Sequence, residues 1–163
     1  MAIPTLLAAG LMGVGATMAM DLWALLLRRA FGIPSLDLGL LGRWVLHMPE
    51  GKFVHRSLSA AAARPHERAV GRTAHYSIGV AFALLFWTIA PAGWFARPTL
   101  LPALVFGVAT VVVPFFTMQP AFGLGVAASK TPKPNTARLK SLGTHTVFGV
   151  GLYLGALLVS RVF

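Results

Sequence analysis

IPTLLAAGLMGVGATMAMDLWALLL, residues 3–27, decides the fold. The run has the length a bilayer crossing demands, about 20 residues. Asp21 is its one formal charge, and Arg28-Arg29 close it. Its positive side chains follow the apolar stretch, the reverse of a cleaved signal, so it reads as a retained membrane helix.

Three more runs repeat the pattern. Thr73 to Ala96 and Thr99 to Ser129 carry no full charge, and Leu142 to Ser160 carries only His145 as a group titrating near neutrality. The third run is too long for one straight span. Its 31 residues would make a helix of about 46 Å against a hydrocarbon core of about 30 Å. Pro114 and Pro120 each remove a backbone donor and can kink or end a helix. A span over about 101–119 is therefore expected, with a bent segment through Phe122-Gly123-Leu124-Gly125.

Composition agrees with the patterning. The 163 residues are 56% hydrophobic and 11% charged, where soluble domains carry roughly a quarter charged residues, and the mean hydropathy is +0.75. The chain has no Cys, which removes disulfides, thiolate metal sites and cysteine nucleophiles. The fold class expected is all-α: a four-helix transmembrane bundle in a single domain over residues 1–163, with spans near 3–27, 73–96, 101–119 and 142–160.

The net charge of +10 is distributed in a way that favours lipid over nucleic acid. Arg28, Arg29, Arg43, Lys52, Arg56, Arg64, Arg68 and Arg72 lie between the first two runs. Lys130, Lys133, Arg138 and Lys140 lie between the last two, and only Arg97 and Arg161 fall on the other side. The positive-inside rule puts both basic loops in the cytoplasm, which leaves both termini non-cytoplasmic. Anionic lipid at the cytoplasmic face is the expected partner. Nucleic acid is set aside, because these loops are not a soluble platform with exposed aromatics.

The first loop is long and mixed. Leu38 to Leu46 reads as a short interfacial helix with Trp44 at headgroup level, and Phe53 to Ala63 as a second, weaker one. Pro65 suits the first position of the next helix. Lys130 to Asn135 is a turn by composition.

Asp21 is the most informative residue. A carboxylate at the centre of a membrane helix costs about 2.5–3.5 kcal/mol on insertion scales and by default marks a functional position. It lies about 10 Å from the cytoplasmic end of its helix. The topology brings His75, Gln119 and His145 to a similar depth, one on each remaining span. Together they form the candidate polar site, which would serve proton transfer or hold a divalent metal. The plainer alternative is interhelical hydrogen bonding. Secondary candidates are His55, His66 and Glu67. Glu67, Gly71 and His75 share a helix face, with Gly71 expected to leave open space between them; the plainer reading of Glu67 is a carboxylate favoured by a helix start. No metal set is assigned and no His pair has a haem-motif spacing, so cofactors stay undetermined. Gly15, Gly151 and Gly155 are expected helix-packing positions.

Met20-Asp21-Leu22-Trp23, Gly42-Arg43-Trp44, His75-Tyr76-Ser77-Ile78-Gly79 and Met118-Gln119-Pro120 occur in an order that resembles a bacterial integral-membrane family known as a domain of unknown function. The resemblance covers nearly the whole chain. It implies a four-helix, multi-pass protein of the bacterial inner membrane and brings no activity, substrate or cofactor. From the residues, the functions to weigh are small-solute or proton-linked transport through a polar pocket near the cytoplasmic side, a membrane-embedded metal- or haem-binding enzyme, and a non-catalytic scaffold or accessory subunit. A chain this small is expected to form a homo-oligomer if it is to build a pathway.

Overall fold

Apolar runs with few breakers become long helices because an α-helix satisfies its own backbone polar groups. In the computed structural model, which describes residues 3–34 and 36–161, the four runs do so. Helix α1 is Ile3–Phe31, α2 is Leu38–His47, α3 is Glu67–Ile89, α4 is Leu100–Ala109 and α6 is Pro134–Val159; the one-turn helix α5, Gln119–Ala121, precedes α6. No strand occurs among the described residues. Four helical stretches are long and apolar enough to cross a membrane: Thr5–Phe31, Glu67–Ile89, Leu100–Ala121 and Pro134–Val159.

The chain divides into two compact units. The first comprises Met1–Ser35, Tyr76–Thr110 and Gly143–Phe163. It is a ring of four helices in the order α1, α3, α4, α6, drawn together by glycines. Small residues at the contacts let the helix backbones approach closely. A Cβ on Gly13 of α1 would lie 2.6 Å from the Val80 Cα of α3. Gly107 of α4 and Gly149 of α6 face each other's backbones. Gly151 of α6 meets Ala16 of α1 at 2.7 Å and Gly155 meets Met12 at 3.2 Å, again measured from a built Cβ. Phe106 of α4 reaches α3 with its ring centroid 4.9 Å from that of Phe86. Met12, Ala16, Phe86, Phe148 and Leu152 fill the centre.

Helix α3 stops at Ile89, where the apolar run continues to Ala96. Pro91 ends it, since the residue before a proline is pushed out of the helical region. The remaining apolar residues cap the unit: Trp94 is buried, donates its indole N–H to the Thr99 carbonyl at 3.1 Å and packs edge-on against Phe86. Phe95 stacks on Trp87 with centroids 3.8 Å apart.

The second unit comprises Leu36–His75 and Val111–Leu142. The short helix expected at 38–46 forms as α2, started by Asp37, whose carboxylate accepts from the Gly39 N–H at 2.8 Å. The weaker one expected over 53–63 does not form; a single 3-10 turn, Leu58–Ala60, stands there. Its backbone is used otherwise: the His55 and Leu58 N–H groups donate to the Ala121 and Phe122 carbonyls at 2.8 and 3.1 Å. Leu41, Leu58, Ala121 and Phe122 make this unit's core. Helix α3 begins at Glu67 rather than at Pro65, because His66 has a left-handed φ of 59°.

The third apolar run does not continue as regular α-helix: α4 ends at Ala109, ahead of Pro114, which has no backbone N–H to continue the ladder. Pro114–Met118 is a π segment closed by the Gln119 N–H donating to the Pro114 carbonyl. Beyond Ala121 the chain turns through Gly123 (φ 85°), Gly125 (74°), Ala127 (47°) and Ala128 (58°), four residues with positive φ.

Candidate functional site

Asp21 sits four residues after Thr17, itself four after Gly13, so the three share one face of α1. Gly13 brings α3 close. Thr17 is fully buried and bonds the Gly13 carbonyl at 2.8 Å, which removes its hydroxyl from competition with the interface. One turn on, the Tyr76 hydroxyl of α3 donates to Asp21 Oδ2 at 2.9 Å. The carboxylate is therefore bonded to a neighbouring helix. Tyr76 belongs to the His75–Gly79 motif, and only packing reveals that it faces Asp21.

His145 of α6 has a comparable partner in the same unit. Thr110 Oγ1 lies 2.7 Å from His145 Nδ1 and 2.6 Å from the Gly107 carbonyl. A hydroxyl has one proton and a carbonyl can only accept, so the threonine proton goes to Gly107. His145 Nδ1–H then donates to Thr110. Nothing in the sequence marked Thr110, which lies inside an uninterrupted apolar run.

The other two members of the expected set belong to the second unit. Gln119 follows the π segment, and its Nε2 donates to Ser141 Oγ at 3.4 Å. Its Oε1 is buried with no hydrogen-bond partner. His75 lies on α3, half-buried. The four expected residues are thus divided, Asp21 and His145 in one unit and His75 and Gln119 in the other.

Glu67 has a structural employment. Its two carboxylate oxygens accept from Arg43 Nε and Nη2, both at 2.9 Å, and the Arg64 N–H bonds Oε2 at 3.0 Å. Arg43 Nη1 also reaches the Leu58, Ser59 and Ala61 carbonyls at 3.4, 3.2 and 3.0 Å. The Glu67 hydrogen bond, against the cost of burial, raises the Arg43 pKa further above its ordinary value. The expected open space at Gly71 is absent: a Cβ there would overlap the Leu38 carbonyl, and one on Gly42 would overlap the Glu67 carbonyl. The two glycines let α2 lie directly on α3. Of the expected packing glycines, Gly151 and Gly155 meet α1, whereas Gly15 has nothing within 4 Å of a built Cβ; Gly13 faces α3 instead.

His66 is exposed at the start of α3. His55 meets His47 edge-on, with ring centroids 5.2 Å apart. His47 is buried and was not singled out in the sequence, where it is one more residue at the end of a short amphipathic helix. No three His, Asp or Glu side chains among the described residues gather as a metal-ligand group.

No curated protein and no solved structure matches the chain. Residues 10–159 match one family, described as Protein of unknown function (DUF2938). That match takes in most of α1, the other three apolar helices and every candidate site residue, and the chain belongs to this family.

Proposed function

We propose that the protein is a multi-pass protein of a bacterial inner membrane that supports small-solute or proton-linked transport, with Asp21 as its titrating group. The observation that carries this reading is the Asp21–Tyr76 pair: a carboxylate in an apolar helix, bonded across to the next helix at 2.9 Å. An acid in such a position is costly, and paired acids of this kind mark ion and proton pathways. Thr110 and His145 supply a second exchangeable pair in the same unit.

Lipid as the medium is supported by the outward faces of the helices. Leu7, Leu11, Met18, Leu22, Leu101, Leu154 and Leu158 are all exposed, which in water would be an aggregation liability and in a bilayer is ordinary. The orientation rests on charge. The second unit holds ten of the 14 Lys and Arg residues, and basic segments remain cytoplasmic, so both termini lie on the non-cytoplasmic side.

Purified protein in liposomes with an imposed pH gradient and a trapped pH dye tests the reading. Wild type dissipates the gradient faster than empty liposomes, Asp21→Asn does not, and both incorporate equally. Equal leakage through wild type and Asp21→Asn would sink it.

The alternative of a scaffold or accessory subunit draws on a different observation, the six glycines at helix contacts in the first unit, Gly13, Gly79, Gly107, Gly149, Gly151 and Gly155. On that reading Gly151→Leu disrupts assembly while Asp21→Asn leaves the cellular phenotype intact.

A further inference from the structure

The second unit contains a pair of histidines that the transport reading does not use. His47 closes α2 and is 4% exposed. His55 stands beyond the turn made by Met48–Glu50 and Gly51, whose left-handed φ of 72° reverses the chain. The two rings meet edge to face, centroids 5.2 Å apart and planes at 89°. On each ring one nitrogen is buried without a hydrogen-bond partner: Nδ1 of His47 and Nε2 of His55. Buried polar atoms are almost always satisfied, so two orphans on touching rings call for a cause.

We infer that His47 Nδ1 and His55 Nε2 are the protein ligands of a divalent transition-metal ion of the zinc type, with water or a small anion completing its coordination.

The tautomer of His47 supports this. Its Nε2 lies 3.0 Å from the Ala62 carbonyl and 3.3 Å from Arg64 Nε. These contacts require opposite protonation of Nε2. The carbonyl contact is the shorter, and the Arg64 guanidinium also bonds the Glu50 carboxylate through Nη2, so Nε2 carries the proton. Nδ1 is then a bare lone pair. An imidazole that donates one N–H to a backbone carbonyl and offers the other nitrogen is the usual state of a metal-ligating histidine, because the carbonyl fixes the ring and raises its basicity. Metal–imidazole bonds are about 2.0–2.1 Å, so one ion can join nitrogens up to about 4 Å apart, a separation that rings in contact can present.

Ligand chemistry selects the ion. Neutral imidazole suits zinc, copper and nickel, while magnesium and calcium want oxygen. The Glu50 carboxylate, three residues after His47, is committed to Lys52 and Arg64. The Arg64 cation works against a second positive charge, and Glu50 offsets it. Two protein ligands make this an open site that exchanges its ion rather than a closed structural one.

The test is equilibrium dialysis of the intact, tag-free protein in detergent against Zn2+ near neutral pH, with metal quantified per chain. One equivalent is expected, unaffected by a large excess of Mg2+. His47→Gln and His55→Gln should each weaken binding about tenfold or more, and His66→Gln should leave it unchanged. His55 is half-buried, so its variant decides the matter should His47→Gln unfold on a thermal melt. Wild type that retains no zinc, or a folded His55→Gln that binds as wild type does, overturns the assignment. Proton flux plays no part in this readout, so its result is independent of the transport reading.

Discussion

Arg43 and Glu67, 24 residues apart, form a two-pronged ion pair with both N–O distances at 2.9 Å, and the same guanidinium collects three carbonyls of the 58–61 turn. The side chains are 14% and 18% exposed. Removing the cation leaves the Glu67 carboxylate and three carbonyls short of donors. Arg43→Ala is therefore expected to lower the midpoint of thermal or denaturant unfolding in detergent. Arg43→Lys should recover little of this, because an ammonium cannot reproduce the fork.

The glycines divide into two groups with opposite expected behaviour. Gly13, Gly42, Gly71 and Gly107 each face a neighbouring backbone, so a methyl group forces the helices apart. Their Ala variants should lose about 1–3 kcal/mol, the range for overpacking, and more where the opposing atom is a carbonyl. Gly10, Gly15 and Gly143 have nothing within 4 Å. Alanine there should be neutral or stabilising by up to about 1 kcal/mol from helix propensity. Melting temperatures of the seven variants decide it.

The coupling between Asp21 and Tyr76 is measurable apart from any flux. Interhelical side-chain bonds in a membrane protein average about 0.6 kcal/mol with a maximum near 1.7. A double-mutant cycle of Asp21→Ala, Tyr76→Phe and the pair should return a value in that range. Additive effects would mean the hydrogen bond does not form in the folded protein.

Glu50 confers an acid sensitivity. Its hydrogen bond to Lys52 is the main reason its pKa lies below the ordinary carboxylate value, opposed by desolvation and assisted by the fields of Arg64 and Lys52. A carboxyl group with a lower pKa folded than unfolded stabilises the fold in its charged form. That contribution is complete above the unfolded value of about 4.3 and fades as pH falls through the lower folded value. A melting-temperature profile from pH 6 to pH 3 should decline, and Glu50→Gln should make the decline shallower.

The reversing segment offers a check of backbone strain. Ala127 and Ala128 hold left-handed φ of 47° and 58°, at a cost of roughly 1–2 kcal/mol for an L-residue. Ala127→Gly relieves it and should be neutral or slightly stabilising by calorimetry, unlike Gly in an ordinary helix. Gly125, at φ 74° and ψ 169°, occupies a region essentially reserved for glycine, so Gly125→Ala should destabilise.

Much of this architecture was legible in the residues. Runs such as 3–27 declare their helices because length and hydrophobicity suffice for a bilayer, and Pro114 with Pro120 announced the break in the third. The sites were legible only as positions. Asp21 was conspicuous as a charge among apolar neighbours, but its partner Tyr76 is 55 residues away, and Thr110 is an unremarkable hydroxyl until His145 is placed against it. The apolar run to Ala96 concealed the end of α3, because aromatic residues fill a cap as readily as a helix face. Gly71 looked like room for a ligand and proved to be room for a backbone. His47 carried no signal, since it meets His55 only after the seven intervening residues turn the chain back.

The wide turn at Pro114–Met118 fits one more residue into its coil than an α-helix does. Everything after it is consequently rotated by about one residue's worth of arc, roughly 100°, relative to a regular continuation. Gln119 meets Ser141 because of that extra residue. Excising any one residue between Val113 and Met118 would straighten the rod, swing the amide toward a different azimuth and part it from its serine. The bulge thus works as an aiming device, inserted in the one apolar run that was too long to cross a bilayer straight.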